Sequence, residues 1–130
     1  MSNNIILSNI KKKLEAKIAD EEQTKINNEI YLNNIIHIFK EYFKDKLINN
    51  SFDIINFNDS YILSDVYEIT PNTFLSENDI NYLKSYFKSE LIELTGIDDI
   101  TVIFDSIGNR LTPKIYAFCI NINLSQLINQ

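Results

Sequence analysis

Few side chains in this chain have a type and spacing suited to chemistry, and most of those exclude more than they suggest. His37 is the sole histidine, and Glu41 follows at i+4, a spacing that lets two metal ligands share one helix face. One histidine supplies neither a triad partner nor a zinc set, and Asn33, Lys40 and Lys44 put it on a polar helix face. Cys119 is the sole cysteine; it falls mid-strand near Ala117 with no basic neighbour to activate it, so a structural thiol is expected. The two glycines, Gly96 and Gly108, cannot build a glycine-rich phosphate loop or a dinucleotide fingerprint.

Carboxylates remain. Asp98, Asp99 and Asp105 flank one predicted strand, and Glu90 and Glu93 lie on the helix before it. Such a cluster supplies the oxygen ligands that Mg²⁺ or Ca²⁺ takes, which keeps a metal-dependent hydrolase open as an alternative. Against it, Asp98 and Asp99 point to opposite faces if both are in the strand, and the EF-hand spacing is absent. Solvated surface acids are the simpler reading. No pair stands out as a glycosidase pair. Lys11, Lys12, Lys13 and Lys17 form the one basic cluster, but Glu15 and the run Asp20, Glu21, Glu22 sit within two turns. Nucleic-acid binders show a sustained basic face, so direct nucleic-acid binding is not expected. The expectation is a non-enzymatic protein with no catalytic residue, metal or cofactor.

The elements that must position these side chains follow from periodicity. Ile6, Ile10, Leu14 and Ile18 recur every four residues and outline a first helix. The stripe lapses over residues 19–25, where no Gly or Pro forces a break, so the arm is one long helix or two. Over residues 25–48 the sequence predicts a helix with Leu32, Ile35, Ile36, Phe39, Phe43 and Leu47 on one face and Tyr31, Ile38 and Tyr42 beside them. Residues 52–57 and 61–70 read as strands around Asn58-Asp59-Ser60, with Pro71-Asn72 as punctuation. Ser76 is a predicted N-cap with acids in the first turn; Ile80, Leu83, Phe87, Leu91 and Leu94 form the buried stripe, and Gly96 ends the helix. A strand is predicted at 100–105, then a loop, Ser106-Ile107-Gly108-Asn109-Arg110. The last strand, 114–124, begins after Pro113 and alternates Tyr116, Phe118, Ile120, Ile122 and Leu124 against Ala117, Cys119, Asn121 and Asn123.

The resulting fold class is α+β: a helical arm (1–48) and a ββαββ body (49–130) whose antiparallel sheet packs on helices, all in one domain. At 130 residues and 45% apolar side chains, a real core is expected. The lone cysteine, the absence of a leader-like start and the lack of any 18-residue apolar run point to the cytoplasm and away from a membrane. Three Asn-X-Ser sequences beginning at Asn49, Asn58 and Asn123 are chance matches in a chain with 18 Asn. That abundance, with 24 Ile, suggests an A/T-rich coding sequence of the kind found in phages, mobile elements and some bacteria.

Two surfaces then stand out as places for a partner. Tyr82 and Tyr86, with Ser89 and Glu93, fall opposite the buried stripe of their helix, near Glu90, Asp98 and Asp99. Tyrosines flanked by acids suit protein contact with a basic surface. Tyr31, Ile38 and Tyr42 form a second stripe that needs cover, from within the chain or from a homodimer. Charge is divided accordingly: residues 1–50 carry eight Lys against seven acids, and residues 51–130 carry four basic side chains against eleven acids. The expected function is a small acidic interaction module, an inhibitor or modulator of a host nucleic-acid-handling defence protein encoded by a phage or mobile element. The first alternative is an assembly subunit, such as a virion component, that oligomerises through the arm.

Overall fold

The structure, a computed structural model, describes residues 2–71, 73–107 and 115–128. Asn72, most of the loop after the third strand (Gly108, Asn109, Arg110), Pro113 and Lys114 lie outside the described residues. The element order is α1 (Ser2–Ile48), β1 (Ile54–Phe57), β2 (Ser60–Ile69), α2 (Glu77–Thr95), β3 (Ile100–Ile107), β4 (Ile115–Asn123) and a short α3 (Ser125–Ile128). This is an α+β fold with a four-stranded antiparallel sheet in the order β1-β2-β4-β3. Its contacts divide the chain into two units, Met1–Asn34 and Ile35–Gln130, so the last turns of α1 belong with the sheet.

The first helix is continuous. Along its polar stretch Thr24 Oγ1 donates to the Asp20 carbonyl at 3.0 Å and Gln23 Nε2 to Asn27 Oδ1 at 3.0 Å. It ends where Asn50 takes a left-handed conformation (φ 60°) and the Ser51 N–H reaches back to the Lys46 carbonyl at 2.9 Å, a Schellman-type close. Asn58 and Asp59, both at positive φ, make the two-residue turn between β1 and β2, and Ser60 already belongs to β2. Asn and Asp tolerate that conformation because their short polar side chains hydrogen-bond locally, and the turn's hand matches the strand twist.

On α2 the expected caps are present. Ser76 Oγ accepts from the Asp79 N–H and the Ser76 N–H donates to Asp79 Oδ2, each at 3.1 Å, closing a capping box. Gly96 (φ 72°) stops the helix in the left-handed region, where a Cβ would be strained.

One face of the sheet is covered by helices. The register aligns Leu63 with Ile122 and Tyr67 with Phe118, and sets Ile100, Val102 and Phe104 beyond them on β3. Phe39 joins three elements: its ring stacks on Phe87 of α2 at 4.0 Å between centroids and meets Tyr67 of β2 edge-on at 5.0 Å. Phe87 in turn meets Phe118 at 5.0 Å. Phe39, Phe43, Leu83, Phe87, Leu91, Phe118, Ile120 and Ile122 are almost wholly buried. Aromatic pairs in this geometry add about 0.5–1.5 kcal/mol each beyond the area they bury.

Candidate interaction surface

The sequence-predicted surface residues fall into three pairs. Tyr82 and Tyr86 lie one turn apart on α2, with ring centroids 4.5 Å apart and planes inclined by 42°. The Tyr86 ring is exposed (44%) and Tyr82 is half-buried. Glu90 and Glu93 continue the same flank of α2 and converge on one cation. Lys40 Nζ of α1 lies 3.1 Å from Glu90 Oε2 and donates to Glu93 Oε1 at 3.2 Å. Glu90 is mostly covered by this contact (21% exposed), while Glu93 stays open (67%). The two carboxylates, Glu90 first, raise the Lys40 pKa above the ordinary lysine value by stabilising the ammonium form. Half of the acid set proposed for a partner is therefore engaged by a lysine of the same chain.

Asp98 and Asp99 form the third pair. Both precede β3, which starts at Ile100 as the sequence predicts. The Asp98 N–H donates to Gln126 Oε1 at 3.4 Å, and the Asp99 carbonyl accepts from the Asn123 N–H at 3.0 Å. Both side chains are exposed. Among the described residues, no three of His, Cys, Asp or Glu converge in a way that could hold a metal ion. His37 and Glu41 are exposed on α1, and Cys119 is half-buried on β4.

The tyrosine stripe of α1 is split by its environment. Ile38 is exposed (55%), but Tyr42 is drawn into the fold. Its ring lies 5.0 Å from that of Tyr67, and its hydroxyl donates to Asp65 Oδ2 at 3.5 Å. Lys46 Nζ completes the group at 2.6 Å from Asp65 Oδ2 and 5.0 Å from the Tyr42 ring centroid. Asp65, then Tyr42, raise the Lys46 pKa, and burial raises that of the Tyr67 hydroxyl. Asp65 was not singled out from sequence. Its signal was there, since the alternation Leu63, Asp65, Tyr67 puts one carboxylate on the helix-covered face, where it requires a partner.

Two further surfaces depend on the tertiary arrangement. The flank of α2 opposite the tyrosines carries Lys84 and Lys88, which with Ile100, Thr101 and Val102 line an open hollow of about 300 Å³. The sheet face away from the helices brings Val66 (47% exposed), Cys119 and Ile103 (50%) side by side in register, with Ile55 and Ile62 aligned towards the β1 edge. Beyond these, an apolar cavity of about 370 Å³ is lined by Leu47, Phe52, Leu63, Leu94, Ile122 and Leu127, among others. No helix among the described residues is long and apolar enough to cross a membrane.

No protein-family model, curated protein or solved structure matches this chain.

Proposed function

We propose that this chain is a small, non-enzymatic interaction module whose α2 flank engages a protein partner with a basic surface. The observation that carries the reading is the Tyr82–Tyr86 pair, with Tyr86 open to solvent on the flank that bears the exposed Glu93. Tyrosine offers a large contact area at low entropic cost, and paired tyrosines are frequent anchors of interfaces. Glu93, Asp98 and Asp99 supply the charge that steers association, with Glu90 behind them in the Lys40 pair. The partner class that fits an acidic, tyrosine-bearing surface is a nucleic-acid-handling protein, whose phosphate-binding site such a surface can occupy. The A/T-rich residue usage supports a phage or mobile element as the source and a host defence protein, met in the host cytoplasm, as the target.

The test is affinity capture from the native host, followed by the variant Glu90→Lys, Glu93→Lys, Asp98→Lys, Asp99→Lys. The expected result is at least a tenfold loss of binding to the captured partner and a flatter dependence on salt. Tyr86→Ala is expected to weaken binding by more than 1 kcal/mol, roughly the threshold for an interface anchor. Unchanged binding after the four-fold charge reversal would remove the acidic surface from the account.

The assembly-subunit reading has its own support in the exposed apolar side chains of α1, and light scattering of the pure chain separates the two. A large closed oligomer favours assembly, and a monomer or dimer favours the modulator.

A further inference from the structure

The ridge along the first unit of α1 is built like a contact seam. Ile6, Ile10, Leu14 and Ile18 stand one turn apart and are 55%, 59%, 56% and 47% exposed. Leu7 beside them is 64% exposed. Such a contiguous apolar row on a soluble helix marks an interaction site. The charges around it state what should cover it. Lys11, Lys12 and Lys13 lie on one side of the point midway between Ala16 and Lys17, and Asp20, Glu21 and Glu22 lie equally far on the other. Reflecting the helix through that point sets Lys11 against Glu22 and Lys13 against Asp20, an opposite charge each time, while Lys12 and Glu21 lie about 180° apart around the helix and do not meet.

We infer that the Leu14 and Ile18 end of this ridge is the seam of an antiparallel homodimer whose two-fold axis passes near residues 16 and 17, with Ile6 and Ile10 at its rim, level with Asn27 and Gln23 of the second copy. In that arrangement Leu14 of one copy falls about 1.5 Å along the axis, one residue's rise, from the level of Ile18 of the second copy. The two central layers are then Leu against Ile. Lys11 and Glu22 sit within about 20° of each other around the helix, on one side of the ridge; Lys13 and Asp20 do the same on the other side. Each flank of one copy therefore meets its own flank on the second copy with the signs reversed, as isologous pairing requires. A parallel, in-register pair would place lysines on lysines and acids on acids, which is repulsive. Nucleic acid and anionic lipid are poorer occupants because the acidic run shares the helix with the basic one. The strict four-residue spacing is a ridge and not a sustained heptad, so the contact spans only a few turns and dissociates in the micromolar range. This inference is independent of the α2 surface.

Sedimentation equilibrium of the full chain across two decades of micromolar concentration is expected to show a monomer–dimer equilibrium. Leu14→Glu is expected to weaken it more than tenfold while leaving the thermal melt of a dilute sample unchanged. A wild-type chain that stays monomeric throughout, with or without binding to anionic phosphatidylserine vesicles, overturns the inference. Orientation is tested by charge exchange: Lys11→Glu with Lys13→Glu should weaken association about tenfold, and adding Asp20→Lys with Glu22→Lys should restore it. Failure to restore overturns the register. In a Cys119→Ser background, mixed Lys11→Cys and Glu22→Cys chains should oxidise to the heterodisulfide. Ile10→Cys chains, whose thiols stand about 20 Å apart in this register, should not form a homodisulfide; its predominance would establish the parallel pair instead.

Discussion

The two parts of α1 carry similar apolar stripes and meet opposite fates. Ile10, Leu14 and Ile18 are about half exposed or more, whereas Ile36, Phe39 and Phe43 are 6%, 0% and 1% exposed. Both stripes obey helical periodicity, and both were legible from it. The difference is that the later turns belong to the unit containing the sheet, where Phe87 and Tyr67 are supplied against Phe39. Periodicity identifies a face of a helix, and the rest of the fold supplies its cover. The dimer inference therefore rests on the first stripe, and the stability of the sheet-containing unit on the second.

The sharpest way to break this comparison is to truncate one residue in each stripe. Phe39→Ala should lower unfolding stability by about 3–5 kcal/mol, because a fully buried ring is replaced by a cavity. Ile10→Ala should leave the stability of a dilute sample within about 0.5 kcal/mol, since that side chain lies in solvent and Ala is the better helix former. Urea unfolding followed by circular dichroism measures both, and equal losses would erase the distinction. A smaller effect is expected from Asp65→Ala, which leaves Lys46 and Tyr42 without their shared partner: about 1–3 kcal/mol in the same assay. A loss below about 0.5 kcal/mol would reduce that group to surface decoration.

The weakest effect is one of pH. The Lys46 pKa is raised above 10.5 in the fold, so the pair's stabilisation is fully present below that ordinary value and is lost as pH rises through the raised one. The raised Tyr67 pKa acts in the same direction. Melting temperatures of the native chain and Asp65→Asn should therefore differ below about pH 10.5, by a few degrees at most, and begin to converge as pH rises above it. A gap that stays constant across this range would show that the carboxylate does not act through Lys46.

Much of the fold was legible in the residues. The capping box at Ser76 and Asp79, the glycine stop at Gly96 and the alternation of β4 are local devices, each set by a few neighbouring side chains. Residues 19–25 are polar and show no apolar stripe, so periodicity does not decide between one helix and two, and with no Gly or Pro to break it the helix runs through. Less of the candidate surface could be read. Tyr82, Tyr86 and Glu93 were placed on one flank by periodicity, and they are there. That Lys40 lies 53 residues before Glu93 yet bonds to it, or that Tyr42 turns inward to Asp65, depends on helices crossing a sheet. Nothing within a window of sequence encodes a crossing.

The amino-acid sequence by itself determined the order of the α+β elements up to β4, though not the short α3, together with the caps, the apolar faces and the uneven division of charge, because these depend on side-chain type and short-range spacing. Only the tertiary structure decided which apolar faces are covered, which acids meet a lysine and which side chains share the open sheet face. Those outcomes depend on contacts between residues far apart in the chain, and it is these contacts that separate Glu93, 67% exposed in its pair with Lys40, from Asp65, 21% exposed in its pair with Lys46.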